Sequence, residues 1–484
     1  MQLSAGPAAP QASSPLRAAL AAATSTLLAS AALAQGAPGV QRAAGTAPAA
    51  TAAEPARTGS ATSPTPASST LPTPASSPSP AEWKVDSAIL FYNESGGRVR
   101  AIEPVISARR TDGNETTLGL KLTLDSLTGA SPNGAMPQPA PQTFTSPSGE
   151  STYTVAAGAP PLDTSFHDRR AALAATLERP FGAAQRLSLV ANVSAEYDFQ
   201  SLGLSAALAR DFNDKNTTLS IGAALEGDRI KPVGGTPVGL EPAFGALAER
   251  QSDRSRNVID LLVGVTQVVN RQWLMQFNLG LGRGSGYHTD PYKVVSVVDG
   301  TTGLVAGDRY VSEQRPDART RTSLYWQNKV HLARDVVDFS YRYYRDDWGV
   351  RAHTLDARYR FELAAGDGGE GRGVYIEPRW RTYRQSAADF WRGWLVEGGE
   401  WSSATHSAAL AAASADPRLA AFKADTLGVK AGGPAGRNGE WSVRVESYRQ
   451  RPDRPAGAPG ALQSLDLAPT VRATAVLLAY SLAF

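Results

Sequence analysis

The chain has 484 residues, 42% hydrophobic and 19% charged, with 48 basic and 45 acidic side chains and a net charge of +3. Beyond the N-terminus it holds no uncharged apolar run of about 18 residues, which excludes a helical polytopic membrane protein. The near balance of charge argues against a nucleic-acid binder, and the absence of cysteine removes disulfides, thiol catalysis, iron–sulfur clusters and Cys-based zinc sites together.

Residues 1–34 read as an export signal. Arg17 precedes the apolar run Ala18–Ala31, and Ala32-Leu33-Ala34 supplies the small-x-small pattern, so cleavage is expected before Gln35. Residues 35–82 are almost entirely Ala, Pro, Ser, Thr and Gly, charged only at Arg42, Glu54, Arg57 and Glu82. Such a segment cannot bury enough apolar surface to offset its ordering entropy, and a disordered periplasmic linker is expected.

From Trp83 to Phe484 the texture changes. Segments of roughly 10–16 residues alternate apolar and polar side chains, the period-2 mark of strands with unlike faces. In one, Leu118, Leu120, Leu122 and Leu124 oppose Lys121, Thr123 and Asp125. In another, Leu324, Trp326, Val330 and Leu332 oppose Arg319, Arg321, Ser323, Gln327 and Lys329. The spacing predicts strands over 84–93, 98–110, 115–127, 165–178, 184–198, 200–212, 215–229, 253–269, 271–286, 319–334, 336–348, 350–364, 372–385, 422–433, 438–450 and 467–484. Long connections (128–164, 230–252, 287–318, 386–421, 451–466) follow odd-numbered strands. Tight turns such as Thr111–Asn114 and Asn213–Asn216 follow even-numbered ones. An all-β fold is expected over 83–484: a transmembrane antiparallel β-barrel of about sixteen strands in the bacterial outer membrane.

The C-terminus adds a separate signal. Tyr480, Leu482 and the terminal Phe484 share one face, as in the signature read by the barrel-assembly machinery. That machinery and outer-membrane lipid are the expected partners, with no nucleic acid and no cofactor.

Four segments carry a family resemblance: Leu127–Asn133, Gly286–Lys293, Tyr341–Gly349 with His353-Thr354, and Tyr383–Phe390. In this order they resemble a Gram-negative outer-membrane family of unknown function, the one numbered 3570. The resemblance implies location and architecture and transfers no functional residue.

The chemistry-bearing residues fall in two groups. His288, Asp290, Asp346, Asp347, His353 and Asp389 lie near one end of neighbouring strands, where imidazole and carboxylate together suit a divalent metal; acidic loops that merely fix turn geometry are the competing reading. On strands ten to thirteen the inward parity carries Arg319, Arg321, Lys329, Arg342, Arg358, Arg360, Arg379 and Arg381 against Asp338, Asp346, Asp356, Glu362 and Glu377. This positive excess predicts a lumen with weak anion preference, narrowed by loop 128–164 or by the linker. None of the five histidines stands in a Gly-x-Ser-x-Gly or His-Glu-x-x-His context. Trp83, Trp273, Trp326, Tyr341, Trp348, Trp380 and Trp441 read as interfacial girdles. Passage of a small solute or exported product is the expected function. A surface scaffold that docks a partner protein is the alternative, and an outer-membrane enzyme the third reading.

Overall fold

Alternating apolar and polar side chains become a wall when each strand finds two neighbours and no edge is left. A computed structural model describes residues 82–146, 152–164, 166–182, 184–245, 247–363 and 373–484. The expected signal segment and the linker up to residue 81 lie outside the described residues.

Sixteen antiparallel strands close into one barrel in sequence order. They are β1 (Glu82–Glu94), β2 (Arg100–Thr111), β3 (Thr117–Thr128), β4 (His167–Pro180), β5 (Gln185–Ala195), β6 (Phe199–Phe212), β7 (Thr217–Ile230) and β8 (Arg254–Asn270). The second half comprises β9 (Trp273–Gly286), β10 (Ala318–Leu332), β11 (Asp335–Asp346), β12 (Arg351–Glu362), β13 (Tyr375–Gln385), β14 (Phe422–Ala435), β15 (Gly439–Pro452) and β16 (Val471–Ala483). Closure runs through β1 and β16, from Lys84 opposite Ala483 to Glu94 opposite Ala473, and the backbones of Trp83 and Phe484 exchange hydrogen bonds at 2.8 and 2.9 Å. Sixteen expected strands are present, with ends shifted by a few residues. The last begins at Val471 rather than 467, because the Ala468 amide donates to the Asp466 side chain and Pro469 has no N–H to give to a ladder.

The outward parity is apolar and exposed, with Leu324 51% and Leu427 63% accessible. In water such a belt would be an aggregation surface; around a closed barrel it is a lipid-facing one. Near the short-turn ends Trp83, Phe212, Trp273, Phe361 and Trp441 stand exposed, as an interfacial girdle requires. The molecule is therefore an outer-membrane β-barrel, with its long connections on the outer side.

Those connections are not loose. The β3–β4 (129–166), β7–β8 (231–253), β9–β10 (287–317), β13–β14 (386–421) and β15–β16 (453–470) loops fold together into a cap. Its centre is a three-stranded sheet in which Val294–Val298 pairs antiparallel with Val305–Ser312 and parallel with Trp394–Val396. Leu240, Val295, Val297, Val311, Leu395 and Trp401 form its core, and four of them are wholly inaccessible. Phe144, Tyr153, Phe244 and Tyr310 make a second cluster of contacting rings.

Candidate functional site: a charged lumen beneath a folded cap

The inward parity of β10–β13 is a ladder of arginines and carboxylates, and most of its members are paired. Arg319 donates to Asp346 at 2.8 Å, Gln327 to Asp338 at 2.8 Å, and Arg360 to Glu362 at 3.0 Å. Asp356 accepts from Arg358 at 3.1 Å and from Arg379 Nε at 3.1 Å. Lys329 stands opposite Asp338, and Glu377 opposite Lys430.

Two pairs reach past the neighbouring strand. Arg321 on β10 reaches Asp260 on β8 at 2.9 Å, and Arg379 on β13 reaches Glu446 on β15 at 2.8 Å. Glycine makes both possible. A Cβ at Gly282 would collide with Asp260 and Arg321, and one at Gly428 would sit 2.7 Å from Glu446 Cγ. Two cations stay outside the ion pairs: Arg342 lies over the Tyr325 ring at 5.4 Å, and Arg381 makes no hydrogen bond or ion pair among the described residues.

The opposite wall has another character. β6 and β7 turn Gly203, Ser205, Ala207, Gly222 and Ala224 inward, so the wall is thin there. Its charged groups lean acidic: Glu226 and Asp228 share Arg256, Asp125 holds Arg170, Glu94 holds Arg98, and Glu103 and Asp168 are buried as well. The excess of positive charge on strands ten to thirteen is thus a property of one wall. Extending the inward parity around the ring brings in this acidic side, so the lumen is two-sided in charge.

The cap closes the outer end. Inward side chains near the outer mouth are almost inaccessible, with Glu94 and Ile230 at 1% and Asp168 at 2%. Solvent reaches those at the short-turn end, where the Arg186 and Arg360 side chains are each 27% exposed. Gln385, at the outer end of β13, donates to the Arg418 and Ala420 carbonyls of the β13–β14 loop at 2.9 and 2.7 Å. On the far side Tyr292 of the β9–β10 loop donates to Asp198 at 2.6 Å. Beside it, burial and then Asp168 push the Glu196 carboxyl up to about 8. All five loops contribute to the cap, which is not the work of 128–164 alone.

The cap is clamped by a buried ionic chain. Arg315 meets Glu313 at 2.6 Å and Asp416 at 2.7 Å, and Arg418 joins Asp416 to Asp290, the latter at 2.7 Å. Lys293 donates to Pro132 O and brings in the β3–β4 loop. Burial alone would raise the Asp416 carboxyl, but Arg418 and Arg315 outweigh it and hold it well below the usual range. Burial pushes Glu313 up despite Arg315.

The metal-candidate residues are dispersed among these tasks. Asp290 belongs to the clamp. Asp346 accepts from Arg319 and from the Tyr344 hydroxyl at 2.8 Å, and from the Trp348 and Val350 amides. Asp347 is exposed and accepts from the Thr320 amide. His353 faces outward, its Nδ1 2.7 Å from the Tyr341 hydroxyl, because its parity is opposite to that of Asp356. His288 packs edge-on against Trp348 at 5.6 Å, and burial, then Arg256, push its imidazole down to about 4. The described residues contain no group of three or more His, Asp or Glu placed to hold a metal; the expectation of convergence failed because a strand end has two faces. Trp348 is likewise no girdle residue. It is 4% exposed, with Arg319 over its ring at 4.3 Å and Phe390 at 5.1 Å. The clamp cations Arg315 and Arg418 were missed, since they lie in loops without periodicity.

Tyr480, Leu482 and Phe484 lie at the seam. Tyr480 and Phe484 are 43% and 65% exposed, and Tyr480 pairs with Trp441 and Ser87 on its two flanks.

No curated protein sequence matches the chain. Among solved structures, the outer membrane protein OpdK of Pseudomonas aeruginosa is 11% identical, with 84% of this chain and 99% of that chain covered, at a TM-score of 0.36. A bacterial polysaccharide outer membrane secretin is 9% identical over 84% and 99%, at 0.40. OccK2 (OpdF) of P. aeruginosa, solved with glucuronate, is 13% identical over 84% and 98%, at 0.35. Scores this low carry neither substrate nor mechanism to this chain. Sequence is the firmer guide: residues 19–482 match the family described as "Protein of unknown function (DUF3570)", and the chain belongs to it.

Proposed function

We propose that the barrel passes a small solute through a restricted channel, and that the solute carries an anionic group that follows the β10–β15 wall. The observation that supports this is the sidedness of the lumen. Arginines crowd one wall, two of them outside any ion pair, while the facing wall is small and acidic. In a confined space such an arrangement orients a charged solute across the pore. The cap supports restriction, since its central core draws on three of the long loops and a second cluster ties in the other two, rather than on one inserted segment.

Planar-bilayer recording tests the reading. Small, interrupted conductance with weak anion preference is expected at low salt, and Arg342→Glu with Arg381→Glu should reduce or reverse that preference. Cation selectivity of the native chain would overturn the charge argument, and a large, permanently open conductance would overturn the restriction. The folded cap also favours a second reading, in which it docks a partner protein at the cell surface. A stoichiometric co-purifying protein together with a silent bilayer would move the balance to that reading.

A further inference from the structure

We propose that the outer rim of the barrel exterior, from β11 to β16, is a binding site for a phosphorylated glycolipid of the outer leaflet. The site is a band of outward cations at the long-loop ends of consecutive strands. Register places Arg345 opposite Arg351, Arg384 opposite Lys423, Lys423 opposite Arg451 and Arg449 opposite Arg472. His353 is next to Arg384 on the same face.

Cross-strand partners have Cβ atoms about 4.5–5.5 Å apart, and like charges so placed repel. Among the described residues one carboxylate answers them: Asp425 pairs with Arg451. Arg345, Arg351, Arg384, Lys423, Arg449 and Arg472 are exposed and make no ion pair among the described residues. A run of four like-charged pairs is costly unless an anion sits among them. Several guanidinium groups within reach of one another match a phosphate oxygen cluster, through bidentate charge-assisted bonds.

Position decides that the anion belongs to a lipid. Below the band, past a tier of Thr382, Asp425, Ser447 and Thr474 on β13 to β16, the same parity continues as Tyr343, Leu355, Trp380, Leu427, Val445 and Leu478, the apolar belt against which acyl chains lie. An anion held here is at headgroup height on the lipid side of the wall, outside the lumen. Cation-on-cation pairing marks this arc. Elsewhere at the long-loop end the outward cations Arg100, Arg169, Arg229 and Arg283 face uncharged cross-strand partners, and at the ends of β5 and β6 the outward residues are Val193, Ala195, Gln200 and Leu202. Arg345, His353 and Arg384 fall in the segments singled out by sequence, and these three stand on the outward parity, away from the lumen. This inference depends on the membrane placement and not on what passes through the pore.

The test uses the full chain purified in zwitterionic detergent, its fold checked by heat-modifiable migration. Native mass spectrometry then counts bound bis-phosphorylated lipid A, dephosphorylated lipid A and phosphatidylethanolamine. The native chain should retain the phosphorylated lipid at least about tenfold better than either of the others. Arg351→Gln with Arg384→Gln, Lys423→Gln, Arg449→Gln and Arg472→Gln should abolish that preference. The same variant should melt no lower than the native chain in lipid-free detergent, because like-charge repulsion is relieved. The control Arg169→Gln with Arg283→Gln, exterior cations on β4 and β9, should change nothing. Equal retention of the dephosphorylated lipid, an equal loss in the control, or displacement of the lipid by millimolar inorganic phosphate would overturn the assignment.

Discussion

The barrel wall and the cap solve the same packing problem in opposite senses. In the wall, backbone ladders hold the structure and leucines point outward, while arginines and carboxylates point in. In the cap the valines and leucines of three loops are inaccessible, and backbone pairing is limited to short strands. The reason is the solvent each meets: hydrocarbon outside the wall and water outside the cap. The comparison teaches that the two halves have separate sources of stability, so loss of the cap is expected to leave the barrel standing.

The sharpest break of this comparison is a charge in the cap core. Leu395→Asp places an unpaired carboxylate where nothing is accessible, and the cap is expected to unfold. Proteolysis of the 386–421 loop in intact cells should become rapid while heat-modifiable migration persists; loss of both would mean that cap and wall fold as one unit.

The clamp comes next. Arg315→Ala leaves Glu313 and Asp416 buried beside a missing cation, at a cost of about 3–5 kcal/mol, confined to the cap. Hydrogen exchange should rise across 289–298 and 413–420 and stay unchanged in β3 to β8. Uniform exchange throughout would refute the separation.

On the wall, Leu427→Arg on the lipid face should cost about 2–4 kcal/mol and should lower the yield of folded barrel while leaving the folded fraction's cap protected. Cap protection lost in that fraction would blur the distinction between the two regions.

The smallest effect is a pH dependence of cap seating. The His288 imidazole ionises near 4 in the fold against 6.5 ordinarily, so the unfolded loop binds more protons between those values. Stability from the neutral, buried ring is complete above 6.5 and is lost as pH falls toward 4. Burial next to Arg256 and Arg319 is the cause. Protease access to the 287–317 loop should increase over that window, and His288→Gln should flatten the response; identical profiles would remove His288 from the seating of the cap.

Alternation by itself determined the wall. The strand over Leu118–Leu124 and the one over Arg319–Leu332 were legible because a period of two is set by local backbone geometry and needs no knowledge of the partner strand. The inward charges followed from the same parity, as did the terminal Phe484 at the seam. What parity cannot show is which inward groups meet. Arg379 finds Glu446, 67 residues away, only because Gly428 lets two side chains cross a strand. Nor does it show that His353 and Asp346, seven positions apart, turn to opposite faces across a turn. The cap lay wholly beyond local reading. Val297, Leu395 and Trp401 share a core, and Arg315 meets Asp416, 101 residues away. Such contacts arise from aperiodic loops that become neighbours only once sixteen strands have closed the ring.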